Sequence, residues 1–395
     1  RIGRVGPHTP GNGGGGTTLP AVEGNFVTAP QIEIQLIASA VAVSCALPGC
    51  FLILRRMAMM SDAISHSILL GIAVGFFVIR DLTSPLLVLS AALTGVVTVS
   101  LVELLTRTKR VREDAAIGLI FPALFSIGVI LISRYAGDVH LDVDAVLLGE
   151  LAFAPFNRLS VLGVDIGPKG LYLMSGILLL NLFFILTFYK ELKLSTFDAG
   201  LAGALGFSPV VIHYGLMTIV SITAVGAFDA VGSVLVVALM IAPPATAYLI
   251  TDRLSYLLAA SSLIGVICAI SGYWVAHALD VSIAGSMATM AGVFFVATFL
   301  AAPDRGLVSI FVRRARQRIE FAQTMLLVHL YNHEGLPGVE RENHMDHLHE
   351  HLKWKPGFAG RIVGAAERKG SISRDGALLL LNERGRETAR RAIVG

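Results

Sequence analysis

The chain has 395 residues, of which 54% are hydrophobic and only 15% are charged, and its formal net charge is +3. A soluble globular protein carries about 25% charged residues, so this composition excludes a single water-soluble domain. The charge is also uneven, because residues 311–395 hold 15 Lys and Arg against 10 Asp and Glu, whereas the rest holds 16 against 18. This asymmetry predicts two domains in two different solvents.

Residues 1–30 are rich in glycine and proline, and no apolar run precedes a cleavage site as in a signal peptide. We therefore expect a disordered N-terminal tail. The three cysteines, Cys45, Cys50 and Cys268, lie in apolar stretches without CxxC spacing. This pattern predicts buried structural thiols rather than a disulfide framework.

Residues 31–305 contain nine stretches that are apolar enough, at roughly 20 residues each, to cross a bilayer core about 30 Å thick. These stretches are 32–54, 58–79, 84–106, 115–133, 171–189, 209–226, 230–250, 255–278 and 282–301. Residues 226–232 predict either a tight turn or a break within the membrane, and 145–165 leaves room for a short interfacial helix. The expected fold is an all-α polytopic membrane protein of eight to nine transmembrane helices, followed by a small α+β domain.

Lys and Arg recur after every second span, beginning with Arg55 and Arg56 after the first. The positive-inside rule assigns these loops to the cytoplasm, which places the N-terminus outside and the C-terminus inside. The loop 134–170 then lies outside, and it begins with an acidic patch formed by Asp138, His140, Asp142 and Asp144. This patch either attracts cations or a binding protein, or is an ordinary solvated loop.

Asp62 and His66 form the sharpest local signal, because they lie four residues apart and so share one helix face inside a predicted span. Ionisable side chains within a membrane are costly and usually functional. A carboxylate and an imidazole on adjacent turns suit Zn²⁺, Mn²⁺ or Fe²⁺. The alternative is an ion pair that only packs helices together near the interface.

Three segments resemble the manganese/zinc/iron ABC-type permease family over about residues 31–305. They are Ser61-Asp-Ala-Ile-Ser-His66, Glu191–Gly206 and Val231–Ala247. The resemblance implies that Asp62 and His66 bind the metal in the translocation pathway. It also implies an ATPase-docking loop, which contains Ser195, Thr196, Phe197, Asp198, Leu201, Leu205 and Gly206. Pro243-Pro244 departs from the family pattern, in which we expect one proline.

The sequence has no GxxxxGK[ST] motif, so ATP must be bound by another polypeptide, and the chain itself is not expected to be an enzyme. The implied partners are an ABC ATPase subunit, an extracytoplasmic metal-binding protein and a second permease chain, identical or related, in the plasma membrane of a bacterium. No permanent cofactor is expected besides the transported ion. Two alternatives are an ion-coupled secondary transporter, for which we find no internal repeat, and a membrane-tethered metal-responsive regulator.

After a basic linker at 306–318, residues 319–395 predict three helices, a hairpin with a turn at Asp375-Gly376 and a terminal helix. This order is typical of a winged helix-turn-helix and resembles metal-dependent iron/manganese repressors. The domain holds six of the 11 histidines, and His344, His347 and His351 share one helix face, as His329 and His333 do. Such spacing either chelates a metal or marks a solvated His-rich helix. DNA binding is not expected, because the domain is only mildly basic.

The other ionisable residues of the apolar region have simpler interpretations. Asp229 either lines the pathway or caps a turn. Glu103 and His213 lie near cytoplasmic span ends, and His277 and Asp280 lie at an outer end, where snorkelling or capping accounts for them.

Overall fold

The computed structural model describes residues 28–79, 85–135, 151–161, 164–345, 347–348 and 352–394. Most of the predicted N-terminal tail, the acidic patch from Asp138 to Asp144, and His351 lie outside these ranges. The chain forms two compact units, residues 1–244 with 258–291 and residues 245–257 with 292–395. Each unit is described by itself.

Long apolar helices make up most of the chain. They are α1 (Ala29–Leu54), α2 (Met59–Ile79), α3 (Pro85–Arg107), α4 (Glu113–Tyr135), α5 (Lys169–Thr187), α6 (Tyr189–Phe197), α7 (Ala199–Ala204), α8 (Pro209–Ile250), α9 (Leu254–Leu279) and α10 (Ile283–Ala301). Within the described ranges, eight of them are long and apolar enough to cross a membrane. The chain is a multi-pass membrane protein, as its composition predicts.

Helix α8 has 42 residues, which corresponds to about 63 Å at 1.5 Å per residue, roughly twice the thickness of a bilayer core. Its helical path is broken at Gly232, whose φ of 77° and ψ of 165° are not helical. The predicted spans 209–226 and 230–250 are therefore the two halves of one kinked run. The break falls at the last residue of the glycine-flanked segment that the sequence singles out.

Small and polar side chains join the helices of the first unit. Helix α2 packs mainly against α3 and α4, and at Gly71 it approaches the backbone of Ser90 and Ala91 so closely that a Cβ atom would clash. The buried Asn181 donates hydrogen bonds to the Ser44 carbonyl and to the Thr223 hydroxyl, each 2.9 Å long. Small residues at close crossings and buried amide bonds are typical of helix packing in membranes.

Two features of the first unit bear on other predictions. Cys45, Cys50 and Cys268 are buried free thiols, so that prediction is confirmed. The described residues between 151 and 168 form a 3-10 helix (Ala154–Phe156) and an antiparallel hairpin, β1 (Arg158–Val161) with β2 (Val164–Pro168), where the sequence left room for a helix. Arg158 pairs with Asp165 across this hairpin, which raises the pKa of the guanidinium.

The second unit contains α11 (Leu307–His333), α12 (Val339–Glu342), α13 (Pro356–Arg368), β3 (Ile372–Asp375), β4 (Leu378–Leu381) and α14 (Glu383–Val394). Residues 307–318, predicted as a separate linker, are part of α11. Strands β3 and β4 pair antiparallel around Gly376, whose φ is 59°. Leu326, Leu330, Ile362 and Leu379 are among the residues of its apolar core. The hairpin and terminal helix follow the sequence pattern, whereas the winged-helix class stays a prediction.

The contact at Gly71 predicts a position-specific sensitivity to side-chain size. We expect Gly71→Leu to destabilise the purified protein by about 1–3 kcal/mol, because overpacking forces α2 away from α3. Thermal unfolding in detergent, followed by size-exclusion chromatography, measures the effect. Gly176→Leu is the matched control, since Gly176 on α5 has open space around its Cβ position. Equal melting temperatures for the two variants would contradict the proposed close packing.

Candidate functional site

The intramembrane pair lies on α2 as the sequence spacing predicts. His66 Nε2 is 3.4 Å from Asp62 Oδ1. The two side chains are 30% and 32% exposed, so they are accessible from one side and shielded on the other. The pair therefore offers a carboxylate oxygen and an imidazole nitrogen at a half-buried position within an apolar bundle.

Two aromatic rings of α4 enclose the imidazole. The Phe121 ring stacks on His66 with a centroid distance of 5.7 Å and an interplanar angle of 27°. The Phe125 ring meets it edge-on at 5.9 Å. Sequence reasoning missed both residues, although their spacing of four places them on one face of α4. These rings restrict the orientation of His66 without competing for its nitrogens.

Serine and threonine hydroxyls around the pair are used within the protein. Ser65 donates to the Ser61 carbonyl at 2.9 Å, and Ser67 donates to the Ile64 carbonyl at 3.0 Å. Thr98 on α3 donates to the Ser67 hydroxyl at 2.8 Å. The Thr98–Ser67 bond joins α2 to α3, so the pair is carried by a helix that is closely packed against its neighbour.

A cavity of about 240 Å³ opens beside the start of α2. Its lining consists of Met57, Met60, Val99, Val102, Glu103, Thr106, Glu113 and His213. Glu103 forms an ion pair with Arg107 at 2.6 Å, and its other oxygen lies 4.0 Å from His213 Nε2. The structure therefore brings Glu103 and His213 together at a cavity wall. Their positions near span ends predicted only snorkelling or capping.

Arg55, directly after α1, connects this cavity to the loop singled out for docking. Its guanidinium donates to Ser195 Oγ at 2.9 Å and to Thr196 Oγ1 at 3.1 Å. A third nitrogen lies 3.4 Å from His213 Nδ1. Burial lowers the pKa of Arg55 to about 10, so it remains charged at neutral pH. No sequence pattern indicated this contact, because 140 residues separate Arg55 from Ser195.

Helices α6 and α7 form an exposed apolar surface. Asp198 lies between them and accepts a hydrogen bond of 2.8 Å from the Leu201 backbone N–H, as an N-cap residue does. Gly206 ends the segment with a φ of 87°. Phe197, Leu201 and Leu205 are 60%, 47% and 60% exposed. We call these three residues the α6–α7 patch, and exposed large apolar side chains that cluster in this way often mark a surface that meets another molecule.

The remaining candidates are dispersed. Asp229 is exposed on α8, three residues before the break at Gly232. His277 stacks on Tyr273 at 6.3 Å, and Asp280 follows α9 in the left-handed conformation typical of helix ends, with a φ of 52°. These positions fit the capping interpretation for His277 and Asp280.

Two histidines of the predicted face, His344 and His347, lie within the described residues of the second unit. His347 Nδ1 lies 3.4 Å from Glu342 Oε2, and His344 forms a backbone bridge with Leu378. The described residues that lie close enough to share an ion are His329, His333 and Glu342.

Comparison with known proteins gives consistent matches. The model of the ABC 3 transport family matches residues 32–302. The zinc transport system membrane protein TroD of Treponema pallidum is 48% identical over 354 residues, which cover 90% of this chain and 96% of that protein. The manganese transport system membrane protein MntD of Bacillus subtilis is 49% identical over 281 residues, covering 71% and 95%.

A solved structure shows the same relationship. The structure of PsaBC from Streptococcus pneumoniae in complex with Fab superposes with a TM-score of 0.58 at 28% identity, and the match covers 70% of this chain and 94% of that one.

The match to TroD also extends into the second unit. It spans 354 of 395 residues, so only 41 residues lie outside it. Wherever it begins, the match must therefore reach residue 354 or beyond, well past the family match that ends at residue 302. The chain belongs to the ABC 3 transport family and is one of its membrane-spanning proteins.

Proposed function

We propose that this chain is the permease subunit of an ABC importer for a divalent transition metal, Mn²⁺ or Zn²⁺, and that Asp62 and His66 hold the ion during passage. The observation that carries the proposal is the half-buried carboxylate–imidazole pair on α2, in a family whose named relatives transport zinc or manganese. Fe²⁺ is bound by the same kinds of ligand, and its uptake is measured in the same cells as that of Mn²⁺ and Zn²⁺. Membership of an ABC family argues against the ion-coupled carrier and the tethered regulator.

Asp62 and His66 provide fewer ligands than a metal ion needs, and this suits a transport site. Zn²⁺ in a closed structural site takes four protein ligands. Asp62 and His66 supply two, so water or a second permease chain completes the shell. A conduction site must bind its ion well enough to admit it and weakly enough to release it. Two ligands on one helix, with Phe121 and Phe125 limiting the motion of His66, meet both requirements.

The cavity beside Met57 and Met60 is a candidate for the next position on the route. Met60 lies two residues before Asp62 on the same helix, and Glu103, Glu113 and His213 provide oxygen and nitrogen donors at the cavity wall. Carboxylates near a pore attract cations. In the orientation given by the positive-inside rule, this end of α2 faces the cytoplasm.

Energy reaches this route from a separate ATPase through the α6–α7 patch. Arg55 bonds Ser195 and Thr196 of α6 and also approaches His213 at the cavity. A displacement of α6 by the ATPase therefore moves groups at the end of α1 and at the cavity wall. Such coupling through packed elements with two arrangements is how domain motions switch access. An extracytoplasmic binding protein delivers the ion, and the C-terminal unit is cytoplasmic.

Uptake of radioactive Mn²⁺ and Zn²⁺ in cells that express this chain with its ATPase and binding protein tests the pathway site. We expect Asp62→Ala and His66→Ala each to reduce uptake about ten-fold or more at equal membrane abundance, since even outer-sphere partners of a metal are worth about 10–100-fold. His277→Ala is the control, because His277 stacks on Tyr273 at another helix end. Normal uptake in both site variants would remove Asp62 and His66 from the pathway.

The α6–α7 patch predicts a decoupling variant. Leu205→Glu should abolish co-purification of the ATPase and ATP-dependent uptake, because a buried unpaired carboxylate opposes an apolar interface. Leu279→Glu is the matched control, since Leu279 is 67% exposed and Leu205 60%, and Leu279 ends α9. Retention of the ATPase by Leu205→Glu, with normal uptake, would show that the partner docks elsewhere.

The role of Arg55 predicts a change in the order of α6. Arg55→Met should accelerate tryptic cleavage after Lys190 and Lys193 several-fold in the purified chain, because two side-chain hydrogen bonds to α6 are lost. The matched control is Arg56→Met, which removes an exposed neighbouring charge. Identical cleavage rates in wild type and Arg55→Met would show that Arg55 does not hold α6.

A further inference from the structure

Three side chains of the second unit converge at the end of α11. They are His329, His333 and Glu342, and one ligand atom from each lies within 4.8 Å of those of the other two. All three are partly buried, so the group is shielded but reachable from solvent. The transport family's matched region ends at residue 302, so this group lies outside it.

The local chain path explains the convergence. His329 and His333 lie on successive turns of α11, and their ring centroids are 4.7 Å apart. Helix α11 ends at His333, and the chain then reverses through Gly335 and Gly338, whose φ values of 80° and 100° favour glycine. Helix α12 follows at once and carries Glu342 back towards the two imidazoles.

A second layer of contacts orients this ligand set. His347 Nδ1 lies 3.4 Å from Glu342 Oε2. His329 Nε2 lies 3.4 Å from the Glu342 backbone carbonyl. Metal-binding histidines and carboxylates are usually held in this way by a further carbonyl, carboxylate or imidazole. His347 thus lies directly beside the carboxylate of Glu342.

The chemistry of the group selects a divalent transition metal. Two imidazoles and one carboxylate form a common protein ligand set for Zn²⁺, with a fourth position left for water. Bonds of about 2.1 Å in tetrahedral geometry place ligand atoms about 3.4 Å apart. The ligand atoms lie within 4.8 Å of one another, so no pair has to approach by more than about 1.4 Å, which side-chain rotation can supply.

We propose that His329, His333 and Glu342 bind one divalent transition metal ion, with Zn²⁺ preferred over Mn²⁺, and that the ion clamps α12 to the end of α11. The preference follows from the order of stability of divalent complexes. The clamp makes the order of the second unit depend on the metal. The proposal does not rest on Asp62 and His66, because none of its ligands lies in the proposed pathway.

The test uses the full-length chain, purified without a histidine tag and carrying Asp62→Ala and His66→Ala to silence the pathway site. Zinc content after equilibrium dialysis and the visible absorption of bound Co²⁺ report the remaining sites. We expect one ion per chain in this background. Adding His333→Ala or Glu342→Gln should weaken binding at least ten-fold, since each removes a ligand. His344→Ala is the control in the same domain and should leave binding unchanged.

Glu342→Gln preserves the size of the side chain, so a loss of metal binding in this variant is not explained by misfolding. A further readout is amide hydrogen exchange, in which Zn²⁺ should slow exchange in residues 329–342 of the background protein and not in the Glu342→Gln variant. Absence of a bound ion in the background protein would overturn the proposal. Undiminished binding in both ligand variants would overturn it equally, and loss with His344→Ala alone would favour the His344, His347 and His351 face instead. None of these outcomes depends on whether uptake requires Asp62 and His66.

Discussion

The structure depends on placing a carboxylate and an imidazole within an apolar bundle. Moving such groups out of water costs free energy unless they are paired, solvated or bound to a metal. Asp62 and His66 meet this cost partly through each other, at 3.4 Å, and partly through their remaining exposure. The surrounding packing follows from the same requirement. Phe121 and Phe125 cover the imidazole face, and the serine hydroxyls of α2 are bonded within the protein. The exposed parts of the Asp62 and His66 side chains are left available to bind a cation.

A helix that carries such a pair has to be both firmly packed and connected to the element that drives it. Close approach at Gly71 and the Thr98–Ser67 bond provide the packing. The connection is polar, because Arg55 reaches α6 on one side and His213 on the other. Hydrogen bonds between a partly buried guanidinium and hydroxyls break and re-form at modest cost compared with repacking apolar helices. This makes the Arg55 contacts a suitable joint between α6, the proposed docking segment, and the end of α1.

Patterns that repeat at short range were predictable from the sequence. Hydropathy gave the membrane spans, the spacing of four placed Asp62 and His66 on one face, and the Asp375-Gly376 dipeptide indicated the hairpin of the second unit. Contacts between segments that are distant in the sequence were not predictable. Nothing in the spacing of Arg55 and Ser195 indicates a bond across 140 residues. The histidine spacing indicated both the pair His329 and His333 and the face with His344, His347 and His351. It did not indicate that the chain reversal at Gly335 and Gly338 brings Glu342 to the first pair. Helical periodicity predicts which residues of one helix share a face. It does not predict which residues of two helices a turn brings together.

The two candidate metal sites differ in the number of their ligands, and we therefore expect a bound ion to stay for different times at each. The pair on α2 offers two ligands on one helix, backed by aromatic rings that cannot coordinate an ion. The group in the second unit offers three ligands from two helices. His347 lies beside the Glu342 carboxylate, and the Glu342 backbone carbonyl lies beside the His329 ring. Each added ligand and outer contact slows release, since a leaving ion has to break more bonds at once. A site of the first kind passes an ion on, and a site of the second kind retains it. The two proposals therefore assign to one chain a site that passes a metal on and a separate site that retains it.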